Sequence, residues 1–555
     1  MFFKRIHLGA ERSPFEGNVV PGLVTGSPAR RPAATLLACF LLSTQALSGQ
    51  EPSWPELMAA AQAAYQRADY ARAERLFVSA LKQTEELGNT SPKVATTLNN
   101  LAELYRTQRR YAEAEPLYLR ALSILNAAGG LDQLEAATVQ NNLAFLYHEQ
   151  MRYAQAEPLF RHTLETREKF LGPENPEVAT TLNNLAELLR ALHRYPEAET
   201  SYRRALALRE KAFGPEHPKV AVLLNNLAML CLDQGRYTEA QPLLERALAI
   251  RRRSLGPEHP DVATTLNNLG ELRRAENQLA EAEGFYKQAL LIREKSFGQK
   301  NPEVATILHN LGVLYQDEGR YAQAEPLLQR AMELRIAALG EDDPKVGAAQ
   351  RSLGELYQFQ GRYSEAEPLL KRSLAIQERV VGTDSIVLAR VLDALALTYQ
   401  FEGRYPEAES FLNRLLQIRE RATGEEHEDI AKTLNSLAGI YRLEGHPAQA
   451  EPVYRRLLLL QERILGLKHQ KVVATLDILA GVTLEQGKFA DADTFFEEAL
   501  SIRRETLGAD HREVASALET YASLLRKAKR LEKAEELEAK AHSIRTNSAG
   551  QSPKQ

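Results

Sequence analysis

The sequence predicts an all-α solenoid of about twelve helix-turn-helix units. The pair Asn99-Asn100 recurs every 42 residues without an insertion, at 141–142, 183–184, 225–226 and 267–268. Apolar residues inside each unit follow the 3.6-residue period of an α-helix. Columns of glycine and alanine continue the same step through most of the 555-residue chain, which leaves no stretch for a separate domain.

The first helix of each unit, helix A, is predicted from the residues around the asparagine pair. Leu98, Leu101, Ala102 and Tyr105 stand at i, i+3, i+4 and i+7, so they share one helix face. The helix begins at a capping residue followed by proline, as in Ser91-Pro92. Five later units carry histidine in this capping column: His217, His259, His427, His469 and His511.

The second helix, helix B, follows Arg109-Arg110. Its apolar face consists of Tyr111, Ala114, Tyr118, Ala121 and Leu122. The alanine column, which includes Ala156 and Ala198, lets helices A and B approach closely, since a larger side chain there would overpack the contact. A glycine column that includes Gly172 is predicted to end helix B in the left-handed αL conformation.

These residues resemble the tetratricopeptide repeat signature, with Leu98-x2-Leu101-Ala102-x2-Tyr105 in helix A and Tyr111-x2-Ala114-x3-Tyr118-x2-Ala121 in helix B. The 42-residue length and the LNNLAELY core are similar to the kinesin-light-chain type of that family. The resemblance implies a right-handed superhelix whose concave wall is lined by the A helices. Kinesin light chains carry a heptad coiled coil ahead of the repeats, and nothing before residue 51 resembles one.

Composition excludes several classes of protein. The 69 basic and 73 acidic residues give a net charge of −4, which argues against nucleic-acid binding. Two cysteines cannot form a disulfide scaffold or a cysteine-rich zinc module. No apolar run reaches the roughly 18–20 residues that span a bilayer, so no integral membrane span is expected.

Residues with catalytic or metal-binding potential do not form a recognisable site. Gly481 and Gly487-Lys488 resemble a phosphate-binding loop only in part, because the Ser or Thr after the lysine is missing. Ligands from the histidine column would lie 42 residues apart in different units, too far apart for one metal shell. We therefore expect no enzyme activity, no cofactor and no metal.

The two ends of the chain differ from the repeats. Arg30-Arg31, the apolar run 33–42 and small residues at Ala46 and Ser48 are typical of a secretory signal. The predicted organisation is a leader over 1–50 with cleavage near 48/49, a solenoid over 51–546 and a disordered tail over 547–555. This predicts an exported protein, periplasmic or secreted; the alternative is a cytoplasmic one.

The asparagine ladder is the strongest candidate for a binding site. On a helical wheel Asn100 falls almost opposite the apolar stripe of helix A. Its equivalents are Asn142, Asn184, Asn226, Asn268 and Asn310. A carboxamide both donates and accepts hydrogen bonds, which suits the backbone of an extended peptide, as in related superhelices. The alternative is that these amides bond to the neighbouring repeat and fix the stacking.

A second column alternates between charged and apolar residues in successive repeats. It contains Glu103, Phe145, Glu187 and Met229, and Arg106 stands three residues after Glu103. One interpretation is a groove with alternating charged and apolar pockets, and the other is an i,i+3 surface pair. Exposed apolar residues such as Phe145 and Met229 would favour an interaction surface.

The function predicted from the sequence is a non-catalytic scaffold that binds a protein or an extended peptide in the concave groove of repeats 2–7. One alternative is a cytoplasmic, kinesin-light-chain-like cargo adaptor, which requires an uncleaved leader and a docking element for the heavy chain. The other is a structural spacer without a specific ligand, for which the ladder would have no purpose.

Overall fold

The computed structural model describes residues 52–550, apart from residues 68, 87, 89 and 129–132. This part of the chain forms 24 α-helices and two short 3₁₀ segments, and no strand is present within it. The chain divides into two compact units, unit 1 up to Glu341 and unit 2 from Asp342. Each unit is a tandem stack of antiparallel helix pairs, which confirms the predicted all-α solenoid.

Unit 1 contains repeats 1–7, each made of an A helix followed by a B helix. In chain order the helices are α1 Trp54–Gln66, α2 Tyr70–Glu86, α3 Pro92–Thr107, α4 Tyr111–Ala128, α5 Gln133–Glu149, α6 Tyr153–Leu171, α7 Pro176–Ala191, α8 Tyr195–Phe213, α9 Pro218–Asp233, α10 Tyr237–Leu255, α11 Pro260–Ala275, α12 Leu279–Phe297, α13 Ala305–Asp317 and α14 Tyr321–Leu339. A 3₁₀ segment, Pro302–Val304, precedes α13.

Unit 2 contains repeats 8–12. Its helices are α15 Pro344–Phe359, α16 Tyr363–Val381, α17 Ala389–Phe401, α18 Tyr405–Thr423, α19 Glu428–Leu443, α20 Pro447–Leu465, α21 Gln470–Glu485, α22 Phe489–Leu507, α23 Arg512–Lys527 and α24 Leu531–Gly550. A 3₁₀ segment, Ile386–Leu388, precedes α17. The last helix extends past the predicted boundary at residue 546, and the predicted leader over 1–50 lies outside the described residues.

Side-chain caps begin the A helices, as the sequence predicts. The side chain of Asn175 accepts a hydrogen bond from the Glu177 amide at 2.9 Å. The five histidines of the same column accept through Nδ1 at 3.1–3.2 Å, and His217 does so from the Lys219 amide. These histidines are therefore caps, and the described residues contain no cluster that could hold a metal ion.

The glycines that end the B helices adopt a different conformation from the one predicted. Gly172 has φ 86° and ψ 151°, and Gly214 has φ 84° and ψ 158°. Positive φ is as expected, but αL requires ψ near 47°, so the αL prediction is wrong. The observed region is essentially restricted to glycine, because a Cβ atom would clash with the backbone there. In this conformation the chain leaves helix B in an extended direction rather than in another helical turn.

The core of each repeat lies between its A and B helices. Ala114, Ala156 and Ala198 are fully buried, as are the aromatic residues Tyr118 and Phe160 four positions after the first two alanines. Cys231 is also buried, and burial raises the pKa of its thiol. Among the helices that the structure describes, none is long and apolar enough to cross a membrane.

Neighbouring repeats are joined by a clasp of one acid, one tyrosine and one arginine. Glu115 of α4 accepts hydrogen bonds from Tyr147 Oη at 2.9 Å and from Arg152 Nη1 at 2.7 Å, both in the next repeat. The Arg152 guanidinium also lies 4.1 Å from the centre of the Tyr147 ring. Equivalent clasps centre on Glu74, Glu283 and Glu367.

Candidate functional site

The asparagine ladder of unit 1 lies between successive A helices. In each repeat the second asparagine donates its Nδ2 hydrogen to Oδ1 of the first asparagine in the preceding repeat. The bonds are Asn142 to Asn99 at 3.0 Å, Asn184 to Asn141 at 3.2 Å, Asn226 to Asn183 at 2.9 Å, Asn268 to Asn225 at 2.9 Å and Asn310 to Asn267 at 3.0 Å. Five consecutive repeat boundaries are bridged in this way.

The outward orientation predicted for Asn100 and its five equivalents is wrong. Their side chains are only 1–4% exposed. The physical reason is that α3 contacts not only α2 and its own partner α4 but also the next A helix, α5. These hydrogen bonds are the ones that the stacking alternative predicts, while peptide binding by the ladder stays a prediction.

Glu103 and Arg106 form a buried network rather than the surface pair that the sequence suggested. Arg106 donates to both oxygens of Glu103, at 3.0 and 2.6 Å, and to Oε1 of Glu149 in the next repeat at 2.8 Å. The Tyr118 hydroxyl donates to Glu103 Oε2 at 2.9 Å. Both members of the pair are buried, so the network is shielded from water.

The same network recurs two repeats later. Arg190 donates to Glu187 at 3.1 Å and reaches Asp233 of the next repeat at 2.6 Å, while the Tyr202 hydroxyl donates to Glu187 at 2.5 Å. Burial raises the pKa of the Glu187 carboxyl, and Arg190 opposes that effect. A third copy has Arg274 bonded to Asp317 at 2.6 Å. The structural period of unit 1 is therefore 84 residues, or two repeats.

The intervening repeats fill the corresponding positions with apolar groups. Phe145 is half-buried, with the Arg106 guanidinium 4.7 Å from its ring centre, and Met229 is buried. His148 is also buried, and burial lowers the pKa of its imidazole to about 4, which keeps it neutral beside Arg190. Phe145 and Met229 thus line the junctions between repeats, and neither forms an exposed pocket.

Unit 2 has a more open A-helix surface. In repeats 9 and 10 the position of Asn99 holds Asp393 and Asn435, both exposed, and neither makes a hydrogen bond to another repeat within the described residues. In repeat 8 the same position holds the buried Arg351. Gly439 stands where Glu103 stands in repeat 2, and an added Cβ would meet no atom within 4 Å. Repeat 8 keeps a buried acid at this position, Glu355, bonded to Arg390 of repeat 9. In repeat 10 the glycine leaves the A-helix face without a large side chain, so this part of the face is accessible.

A row of exposed apolar side chains continues along this face. Phe359, Phe401 and Leu443 are the last residues of the A helices in repeats 8, 9 and 10, and they are 40%, 46% and 53% exposed. Unit 1 carries acids at this position in repeats 3, 5 and 7, where each pairs with an arginine of the preceding repeat. We call Phe359, Asp393, Phe401, Asn435, Gly439 and Leu443 the unit 2 A-surface.

Asp393 lies in a recess of this surface. Its side chain is exposed, yet the surrounding protein raises the pKa of its carboxyl, mainly through desolvation, which Arg419 partly offsets. Arg419 itself donates to the Asp429 carbonyl at 3.1 Å and to Thr433 Oγ1 at 2.5 Å. No ion pair to Asp393 exists in the part of the chain that the structure describes.

A cavity of 240 Å³ lies between repeats 11 and 12. Elsewhere an arginine at the end of helix B reaches the next A helix, as Arg251 does to Thr265 at 2.6 Å. Arg503 instead turns back to Asp477 at 2.9 Å, and Ala517 stands where that threonine would be. The cavity is the space that remains at this junction because the arginine–threonine contact is absent. The charges of Arg503 and Asp477, which line it, already neutralise each other.

The sequence carries a signal for the unit 2 A-surface that the predicted groove did not include. The column that reads Glu149, Asp233 and Asp317 in alternate repeats becomes Phe359, Phe401 and Leu443 in three consecutive ones. The loss of asparagine after Asn310 marks the same change, but the prediction placed the groove at repeats 2–7.

Comparisons with known proteins identify the repeat. The family model described as "Tetratricopeptide repeat" matches residues 56–127, 135–211, 177–237, 219–295, 303–379, 387–463 and 471–547. These matches cover more than half of the chain and confirm the family predicted from the sequence. No curated protein matches the sequence.

Similar solved structures include three kinesin-light-chain-like chains. TPR-like repeats of a kinesin light chain from Podosopora anserina are 28% identical, with TM-score 0.33, over 38% of this chain and 99% of theirs. A singly substituted form of these repeats is 24% identical, with TM-score 0.34, over 37% and 97%. BtubC (BKLC) from P. vanneervenii is 24% identical, with TM-score 0.35, over 42% and 92%.

Proposed function

Because the chain belongs to the tetratricopeptide repeat family, we propose that it is a non-catalytic protein-binding scaffold that holds an extended segment of a partner against the unit 2 A-surface. The observation that carries the proposal is the row formed by Phe359, Phe401 and Leu443, exposed at one position of three consecutive repeats. Exposed apolar side chains in a series favour an interaction surface.

The cost of exposing this row supports the proposal. Burial of apolar surface contributes roughly 25 cal/mol per Å² of area removed from water. The two phenylalanines and the leucine are about half exposed, so part of this free energy is gained only when a partner covers them. Equivalent positions in unit 1 avoid this cost by carrying acids bonded to arginine, as Asp233 is to Arg190. Phe401 stacks on Tyr363 of the preceding helix B, with the ring centres 5.2 Å apart, yet it is 46% exposed, so packing of the repeats covers only part of its surface.

Unit 1 is suited to a supporting role. Its ladder amides bond to one another and its buried acids bond to arginine and tyrosine, which leaves few polar groups for a ligand. Binding of a peptide to the ladder amides of repeats 2–7 would require those hydrogen bonds to open. We therefore favour unit 2 as the binding unit and unit 1 as a frame.

A displayed library of random peptides, selected against the full chain, tests this function. The selected peptides are then titrated against Phe401→Ala and Leu443→Ala, and we expect each substitution to weaken binding at least tenfold. The matched control is Leu459→Ala, because Leu459 is 57% exposed but lies on helix B of repeat 10. Failure to obtain peptides that depend on Phe401 or Leu443 would contradict the proposal and favour a structural spacer.

We also propose that the protein is exported, on the basis of Arg30-Arg31 and the apolar run 33–42. The native protein should then begin near Gly49. Mass spectrometry of the intact protein from each cell fraction tests this, and a cytosolic chain that retains Arg30-Arg31 would contradict it.

A further inference from the structure

The unit 2 A-surface combines one carboxylate with apolar groups in a fixed geometry. Asp393, Leu397 and Phe401 stand at i, i+4 and i+8 of α17, so they follow one helix face. With a rise of 1.5 Å per residue, Asp393 and Phe401 are about 12 Å apart along the helix axis. The charged end and the apolar end of this face are therefore separated by a definite length.

The neighbouring A helix, α19, leaves a notch beside this face. Asn435, Gly439 and Leu443 occupy the equivalent positions of repeat 10. Gly439 has no side chain, and the space where its Cβ would stand is open to at least 4 Å. A backbone can approach closely at such a glycine, while Asn435 offers both a donor and an acceptor on the same exposed face.

The basic residues around Asp393 are already engaged with other groups. Arg390 donates to both oxygens of Glu355, at 3.1 and 2.9 Å, and Lys432 bonds to Asp429 at 2.8 Å. Arg419 is held by the Asp429 carbonyl and Thr433. A partner that covers Asp393 without bringing a cation would leave a desolvated carboxylate with no counter-ion, which strongly opposes binding.

We propose that the unit 2 A-surface recognises an extended segment carrying a lysine or arginine and a bulky apolar residue three to four positions apart. The cation lies against Asp393, the apolar side chain packs on Phe401 and Leu443, and the backbone passes over Gly439. The spacing follows because about 12 Å corresponds to three or four residues of extended chain at 3.3–3.6 Å each. This inference rests on the proposed protein-binding function and specifies the partner.

The sequences of peptides selected from the random library provide the first test. We expect lysine or arginine to be enriched three or four positions from a large apolar residue. Asp393→Asn should weaken binding of these peptides at least tenfold and remove the preference for a basic residue in a repeated selection. Binding of the same peptides should also weaken at higher salt, because the carboxylate is exposed.

A charge exchange separates recognition from damage to the fold. Asp393→Lys should bind poorly to the selected peptides and should recover affinity when their basic residue is replaced by glutamate. The control is Glu497→Gln, which removes an exposed carboxylate from helix B and should leave binding unchanged.

The outcomes distinguish the two proposals. Peptides that need Phe401 but show no basic preference, or that bind Asp393→Asn as well as the unchanged chain, would overturn this inference and leave the scaffold function standing. Peptides that are insensitive to Phe401 and Leu443 would contradict the scaffold function itself.

Discussion

Asn226 donates its Nδ2 hydrogen to Oδ1 of Asn183, 2.9 Å away and 43 residues earlier in the chain. Both amides are buried, so water cannot replace either partner. The bond crosses a repeat boundary and links helices α7 and α9, and Asn226 makes it from the face of α9 that the sequence assigned to solvent.

Replacement of Asn226 by alanine should therefore lower stability. The substitution leaves a buried oxygen on Asn183 without this donor, at a cost of about 1–3 kcal/mol, against a gain of about 0.5 kcal/mol from the better helix propensity of alanine. Urea and thermal unfolding of Asn226→Ala measure the balance. In the double variant Asn183→Ala, Asn226→Ala the loss should be smaller than the sum of the two single losses.

The same variants test whether the ladder binds a peptide. If it does, Asn184→Ala and Asn226→Ala lose affinity for selected peptides by about 1 kcal/mol, in addition to their loss of stability. The control is Ser436→Ala, which occupies the ladder position in unit 2. Early melting with unchanged affinity would assign the ladder to stacking alone.

Removal of a single repeat should be more damaging than removal of two. Deletion of 219–260 places Arg190 opposite Ala275 instead of Asp233. The largely buried guanidinium then loses one of its two carboxylate partners, which should lower the free energy of unfolding by about 2–3 kcal/mol. Deletion of 219–302 places Arg190 opposite Asp317 and keeps the pairing.

Thermal unfolding of the two deletion variants compares them. The rescue control is Ala275→Asp within the 219–260 deletion, which restores an acid at the new junction. If the 219–260 deletion is equally stable with and without Ala275→Asp, the two-repeat period contributes nothing to the stability of the chain.

Two helical glycines should respond in opposite ways to alanine. Gly439→Ala should stabilise the chain by up to about 1 kcal/mol, because its Cβ meets open space and alanine favours the helix. Gly270→Ala should destabilise it by about 1–3 kcal/mol, because its Cβ would lie 2.6 Å from Cε1 of the buried Tyr286 ring. Denaturant unfolding measures both effects, and a gain at Gly270 would contradict the close helix contact. Gly439→Leu should weaken peptide binding without loss of stability.

The clasp at Glu283 predicts a pH dependence. A hydrogen bond from Arg320, supported by Lys287 and Tyr315, lowers the pKa of this carboxyl to about 2, against about 4.3 when unfolded. Because the folded pKa is depressed, the stabilisation is present above pH 4.3 or so and is lost as the pH falls toward 2.

The difference in unfolding free energy between the unchanged chain and Glu283→Gln should therefore be largest near neutral pH and shrink across this window. Urea unfolding at several pH values measures it. Glu497→Gln serves as the reference, because Glu497 is exposed and makes no ion pair among the described residues. A difference that stays constant from about pH 6 to about pH 2.5 would contradict the clasp.

The sequence determined the repeat and its local geometry well. Spacing alone identified the A and B helices, the caps such as Asn175 and the buried alanines such as Ala156, because these depend on contacts within one unit. The orientation of Asn100 could not be found in this way. A helical wheel locates one apolar stripe, whereas the opposite side of α3 is covered by another A helix whose position depends on how the repeats stack.

The unit 2 A-surface and the buried network of unit 1 could not be predicted for a related reason. Glu103 and Arg106 look like a surface pair until Tyr118 and Glu149 are placed beside them, 15 residues from Glu103 and 43 residues from Arg106. Conversely, Phe401 looks like a core residue, and only the position of its neighbours shows that it remains exposed. Contacts between residues this far apart in sequence depend on how the repeats stack.

The His217 cap depends on the charge of its ring. An imidazole accepts at Nδ1 only while that nitrogen carries no proton, so a protonated His217 could not accept the hydrogen bond from the Lys219 amide. Desolvation lowers the pKa of this imidazole, helped by the nearby Lys219 and Arg209, so the neutral, accepting form persists to lower pH than in a free histidine. The first turn of α9 should therefore keep its cap in a mildly acidic compartment, and amide hydrogen exchange should accelerate no more at Lys219 than at Glu177, which Asn175 caps in α7.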